Sequence, residues 1–220
     1  AGTEDYTVHV LRELGEVVVH GVAIKPGNPV ILAVVDDCPV IGLPGYPVSA
    51  YIGFENFVTP VLSMLGDFTC RKNPVVDAVI SKRLVSSLKH REYIRVKVGK
   101  VGEKLVAAPL ARGAGAAMSM VRADGFCVIP QNSEGVEASE TVSVELYRDI
   151  QEIENTLVVI GSHDLILDVM ADMMPEVSRG MYLSSTHVGS MGGLMALKRR
   201  EAHIAPVHLL DEDTGGYNQS

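Results

Sequence analysis

The chain has 220 residues and no tryptophan, and only 5% of its residues are aromatic. It has no excess of basic charge: 19 Lys and Arg stand against 27 Asp and Glu, a formal net charge of −8. Nucleic-acid binding needs a basic field to neutralise phosphates, or aromatics interleaved with cations to stack single-stranded bases, so no nucleic-acid partner is expected. No apolar run approaches the roughly 20 residues that a bilayer-spanning helix requires, so no membrane segment is expected. No stretch has the pattern of a signal peptide. Cysteines are few: Cys38, Cys70 and Cys127, an odd number with no C-x-x-C spacing. Free thiols in a reducing cytoplasm are the expectation. What is present is a 47% hydrophobic, 21% charged chain, long enough for more than one small domain.

The chain is organised around Val22 to Phe57. Val30 to Val35 is a short apolar, β-branched run and reads as a buried strand. Asp36-Asp37 reads as a turn and Val40 to Leu43 as a second strand. Pro44-Gly45 turns the chain, and Pro47 stands where a helix can start without losing a needed N–H. Phe54, Phe57, Val58 and Val61 would form the apolar face of that helix, which Leu65-Gly66-Asp67 ends. Two Pro-Gly loops then open near each other. One presents Lys25 and the other a helix N-terminus with Ser49, a ready oxyanion site. Upstream, Thr3 or Asp5 caps a helix reaching Leu14, Gly15 is its C′ stop, and Glu16 to Val22 is a strand. This order predicts a three-layer α/β domain over residues 1–70 with its sites at strand ends.

From Val75 the pattern changes to short strands: Val75 to Ile80, Tyr93 to Val98, Leu105 to Ala108, Phe126 to Ile129 and Thr141 to Leu146. They predict a small β-barrel or sandwich over residues 74–148. Arg91, Tyr93, Arg95 and Lys97 alternate with Ile94 and Val96, which predicts one wet face on that strand. The Gly-rich Arg112 to Gly125 segment contains G-x-G without a strand before it, so it is not a dinucleotide fingerprint. Met118, Met120 and Val121 are expected to pack as core. Asp149 to Thr156, acidic and polar, reads as a linker.

Residues 156–220 predict a further α/β domain. Leu157 to Ile160 is a strand. A helix opens at Gly161 to Asp164 and packs through Leu165, Leu167, Val169, Met170 and Met173 until Pro175 stops it. Ser184 to Gly193 precedes a second helix, Leu194 to Arg200, and His203 to Leu210 is a strand. Glycine and serine at both helix starts make oxyanion cradles. The histidines here, His163, His187, His203 and His208, lack the i,i+4 spacing of a helical zinc site and have no cysteine beside them, so lining a cleft is the better reading. Ser162-His163-Asp164 has the composition of a catalytic triad but not its geometry, since sequence neighbours do not converge as a triad does. Lys198 to Arg200 is the favourable basic end of a helix. The chain starts at Ala1 and ends just after a strand-like run, which suggests a fragment.

Ile24-Lys25-Pro26-Gly27-Asn28-Pro29, followed by Gly42-Leu43-Pro44-Gly45-Tyr46-Pro47-Val48-Ser49-Ala50, resembles the paired signature of the MoeA / gephyrin E-domain molybdopterin molybdotransferases. The segment around Ser119 is similar to the Gly/Ser segment of that family's C-terminal barrel. The chain after Thr156 resembles the periplasmic-binding-protein-like domain fused to some prokaryotic members. The resemblance implies the end of a molybdopterin-binding, MoaB/Mog-like domain, then the barrel, then the first part of the fused domain. It implies an enzyme that inserts molybdate (or tungstate) into adenylylated molybdopterin, releases AMP, uses Mg²⁺ and works as a cytoplasmic homodimer. Under it, Lys25 and Asp5 are catalytic, and Asp5, otherwise a helix cap, helps hold Mg²⁺. Pro26, Gly27, Asn28, Pro44, Gly45, Ser49 and Ser119 bind the substrate oxyanion. Ser162, Ser185 and Ser190 bind an oxyanion in the last domain. The copy departs from the pattern at Asn28 (usually a second lysine), Tyr46 (Asn) and Ala114 (Ser). The alternative function is a non-catalytic protein that binds or senses molybdate or tungstate.

Overall fold

The structure is a computed structural model that describes residues 6–70, 72–110, 117–212 and 214–218. Thr3, Asp5, Arg112 and Ala114 lie outside the described residues. Helix α1 (Thr7–Leu14) lays Val8 and Leu11 on Ile31 and Ala33. Beneath it, β1 (Glu16–His20), β3 (Ile31–Val35) and β4 (Cys38–Gly42) form an antiparallel sheet in the order β1-β3-β4. Asp36 and Asp37 both take left-handed backbone, at φ 48° and 60°, as a tight hairpin turn requires. Gly15 is not the left-handed stop expected of it: its φ is −173°, and a Cβ there would lie 2.2 Å from the Val34 carbonyl oxygen. Close approach to the next strand explains the glycine, not helix capping.

The two-residue strand β2 (Ile24–Lys25) does not join this sheet. It pairs in parallel with the start of β7 (Arg91–Val101), with Lys25 opposite Glu92. The helix after the second loop runs as α2 (Pro47–Gly53), a π-helical turn Phe54–Val58, and α3 (Thr59–Gly66). Pro60 cannot donate to the Asn56 carbonyl, and the ladder widens just before it. There the Thr59 N–H reaches Phe54 O, and Asn56 Nδ2 donates to Ile52 O at 2.8 Å. The wide turn shifts the helical phase. Val48 and Ile52 are buried, with Tyr51 and Phe57 beside them, while Phe54 is exposed against expectation.

Five strands close the barrel: β5 (Val75–Ile80), β7, β8 (Lys104–Pro109), β9 (Gly125–Ile129) and β11 (Thr141–Leu146). The circuit runs β7-β8-β5-β11-β9 and returns to β7. The short strands β6 (Leu84–Val85) and β10 (Gly135–Val136) pair antiparallel beside it. Ile80, Ile94, Val96, Val98, Cys127, Ile129, Val144 and Leu146 fill its interior. The expected wet face of β7 holds only at exposed Arg91: Tyr93 and Arg95 are buried and Lys97 nearly so. Tyr93 packs with Ile52 of α2, and Lys97 Nζ lies 5.0 Å from the Tyr182 ring centroid. The alternation is real, but neighbouring elements cover the outer face. Helix α4 (Ala117–Arg122) packs Met120 and leaves Met118 and Val121 exposed, so those two are not core.

The expected linker is instead α5 (Ile150–Glu154), capped by Asp149, which accepts from the Gln151 N–H. Its Ile153 is buried in the barrel core. Next, β12 (Thr156–Gly161) and β13 (Tyr182–His187) pair in parallel, joined by α6 (Leu165–Val177), and α7 (Ser190–Lys198) follows. Val158 and Ile160 pack with Ala196 and Ala202 against Val101 and Val106 of the barrel. Val159 faces the other way, onto Leu167 and Leu183. Helix α6 runs through Pro175, and of its predicted packing residues only Leu167 is buried. The expected strand at His203 to Leu210 is an extended segment beside β12, with a single bridge there at Ile204. Pro206 has no N–H to continue the ladder.

Candidate functional site

The two Pro-Gly loops meet in one cleft of about 580 Å³. Lys25, Pro26, Gly27 and Asn28 line it from the first loop, and Pro44, Tyr46 and Ser49 from the second. Gly27 has φ +112°, and a Cβ there would lie 3.0 Å from Ile24 Cδ1 and 3.5 Å from Ser49 O. A side chain at this position would strain the left-handed backbone and crowd Ile24 of the same loop. Asn28 closes its loop: Nδ2 donates to Val22 O at 2.8 Å, and the Val22 N–H donates to Asn28 O at 2.8 Å. The first turn of α2 has no side-chain cap, so the N–H groups of Val48 and Ser49 lack intrahelical acceptors. Ser49 itself is buried at this turn.

The barrel supplies what the sequence reading left out. Glu92, buried to 3% exposure, holds Lys25 Nζ at 2.7 Å, while Lys25 remains half exposed. Tyr93 and Arg95 also line the cleft. Burial lowers the Arg95 guanidinium from its ordinary pKa, and burial likewise raises the Tyr93 phenol, whose OH donates to Asn56 Oδ1 at 2.9 Å. Glu92 could have been found from phase. It is in step with Ile94, Val96 and Val98, the inward residues of β7, and an acid on the buried face of a strand calls for a partner.

The remaining predicted residues lie elsewhere. Gly45 sits in the second loop with open space around it. Ser119 is on α4 and is not among the lining residues of this cleft. Ser162 and Ser190 meet at 2.7 Å between hydroxyls, and Ser190 Oγ accepts from the His208 N–H at 3.0 Å. Ser185 is apart from them, 3.4 Å from His187 Nε2 in a second cleft. The three serines therefore do not form one cradle. His163 Nδ1 and His187 Nε2 are 3.2 Å apart, but no cluster of three His, Cys, Asp or Glu forms among the described residues.

Residues 77–147 match the family described as the MoeA C-terminal region (domain IV), and residues 1–64 match a probable molybdopterin binding domain. Over these two stretches the chain is similar to MoeA-family proteins. Its residues 171–220 match a periplasmic-binding-protein superfamily domain. A Methanocaldococcus jannaschii protein named for molybdopterin biosynthesis is 37% identical over 144 residues, 66% of this chain and 33% of that protein. The molybdopterin molybdenumtransferase of Haemophilus influenzae is 29% identical over 152 residues, 68% of this chain and 38% of that one. A solved molybdopterin-biosynthesis MoeA protein from Pyrococcus horikoshii superposes with a TM-score of 0.53 at 39% identity, over 65% of this chain and 35% of the other. The chain thus spans about a third of the length of the relatives it matches.

Proposed function

We propose that this chain forms the substrate cleft of a molybdopterin molybdotransferase, a cytoplasmic homodimer that places molybdate or tungstate onto adenylylated molybdopterin and releases AMP. The observation that carries the reading is the meeting of the two signature loops, with Lys25 and the first turn of α2 facing one cavity. The reaction needs no protein nucleophile, because the substrate's dithiolene sulfurs bond to the metal. The protein's task is to position two anions and offset their repulsion. Lys25 supplies a mobile cation that Glu92 aims into the cleft. The N–H groups of Val48 and Ser49 and the Ser49 hydroxyl offer donors to the oxyanion. Asn28 donates one amide hydrogen to its own loop, so it contributes shape where a lysine would contribute charge. Pro26 and Pro44 wall the cleft, and Gly27 supplies the left-handed backbone of the first loop. We assign Gly45 to the turn of the second loop, and Ser119 to a hydroxyl brought close only with substrate bound.

Magnesium accompanies the substrate phosphates in this reading, and Asp5 would be its protein ligand. Glu92 is the described carboxylate of the cleft, and Lys25 already occupies its Oε1. The described donors therefore do not fit the ion, and no step depends on it.

The test is molybdate-dependent AMP release by the full-length protein. Lys25→Ala should lower turnover on the order of 10²-fold, the usual cost of a lost electrostatic contact to a developing charge, measured where the variant is still folded, since buried Glu92 loses this cation and the unfolding midpoint should fall. Turnover equal to that of the parent would remove Lys25 from the site.

A further inference from the structure

A second cleft of about 500 Å³ lies between the barrel and the C-terminal βα unit. It shares only Leu110 with the first among their lining residues. In a chain of net charge −8, four of its lining residues are cations: Lys82, Lys97, Arg122 and Arg148. Two lining carboxylates, Asp168 and Asp172, stand on the α6 side. The facing wall is the hydroxyl-rich strand β13, with Ser184, Ser185 and Thr186 in succession before His187.

Two of the cations, Lys97 and Arg148, are held in place, and Arg148 also reaches Glu152 at 3.5 Å. Buried Asp124 lies 3.2 Å from Lys97 Nζ and 3.6 Å from Arg148 Nε, and it accepts the Val98 N–H at 2.7 Å. Lys97 is only 12% exposed, and the Tyr182 ring fixes its other side. Arg122 reaches Asp172 at 3.5 Å. Lys82 has no carboxylate partner among the described residues, and its charge acts on His187. Cations beside an accessible hydroxyl donor match a tetrahedral anion, which accepts hydrogen bonds on every side. The volume suits a small molecule and exceeds what a bare oxyanion fills.

We propose that this interdomain cleft is a second binding site for a tetrahedral oxyanion group, a free oxyanion or the phosphate of a small ester, held by Lys82, Lys97, Arg122 and the hydroxyl of Ser185. The site stands independently of the reaction proposed for the first cleft. His187 reports on it. Its ring faces His163, Lys82 and Asp168, and a dianion beside it favours its charged form.

The experiment is calorimetric titration of the chain with inorganic phosphate, molybdate and AMP, with the His187 ring followed by NMR. Lys82→Ala is compared with Lys25→Ala, and unfolding midpoints verify that both variants fold. The expected result is that the His187 signals shift and its titration moves to higher pH on adding ligand. Lys82→Ala should weaken binding at least tenfold, and Lys25→Ala should leave the His187 response intact. Equal affinity for phosphate and AMP identifies a free oxyanion, whereas tighter AMP binding identifies an ester. A His187 ring that no ligand perturbs at millimolar concentration overturns the proposal. So does binding that Lys25→Ala abolishes and Lys82→Ala leaves unchanged.

Discussion

In the barrel, β7 has a hydrogen-bonded neighbour on each side, β8 and β9, and the sheet returns to itself through β5 and β11. In the C-terminal unit, β12 has β13 on one side and the irregular His203 to Pro206 segment on the other. The barrel needs nothing further to satisfy its strands, because closure removes edges. The C-terminal unit completes its core with barrel residues: Val101 and Val106 pack with Val158 and Ile160. It also leaves Leu165, Ile166, Val169 and Met173 of α6 exposed. One region is self-sufficient in packing, and the other is stable where it leans on the first.

Substitutions at three depths sharpen that contrast. Ile153→Ala removes a side chain 1% exposed in the barrel core and should cost about 2–5 kcal/mol in urea unfolding. A loss below about 1 kcal/mol would show α5 to be a loose connector after all. Gly99→Ala tests the seam between the two regions. A Cβ there would lie 2.4 Å from Val158 Cγ2 and 3.1 Å from Thr156 O, which predicts about 1–3 kcal/mol of overpacking. The loss should appear as faster hydrogen exchange in β12 with the barrel amides still protected. Equal loosening of both would mean that they unfold as one unit.

The same contrast explains what could be read in advance. Strands β5 and β11 were legible to the residue, β11 because apolar residues alternate cleanly and β5 because it is a short β-branched apolar run. Strand β13 was hidden because Ser184, Ser185 and Thr186 read as a polar loop. A buried parallel strand is ordinarily an apolar run, but here Thr186 is satisfied by Ser81 at 3.0 Å. Helix α5 carried a signal that went unused, Ile150 and Ile153 three apart behind a capping Asp149. At the site, the signature loops were legible by their chemistry and spacing. Glu92 was legible from its phase with Ile94 and Val96, but Arg95 was not, because nothing in a strand's own pattern says which neighbour will cover its outer face. Ser162, Ser185 and Ser190 looked alike in sequence, and only the crossover geometry separates the pair from the single residue.

Met173→Ser should change stability by less than about 0.5 kcal/mol, since this residue of α6 is 53% exposed. A cost of about 2 kcal/mol, in the range of a core truncation, would break the contrast by showing that a partner covers this face in solution.

The smallest expected effect concerns His187. Burial lowers its pKa from the ordinary value first, then the nearby His163 and Lys82, while Asp168 acts the other way. A histidine depressed in the folded state resists charging there. Its contribution to stability is therefore complete above the unfolded pKa, near 6.5, and is lost as pH falls through that value toward the folded one. His163→Ala removes one like charge and a ring 3.2 Å away. The His187 titration, followed by NMR, should move up but stay below the ordinary value, because burial and Lys82 remain. The acid-side loss of stability should shrink with it. A downward move would mean that His163 serves His187 as a hydrogen-bond acceptor more than it repels it, and the two rings would then share a proton instead of competing for one.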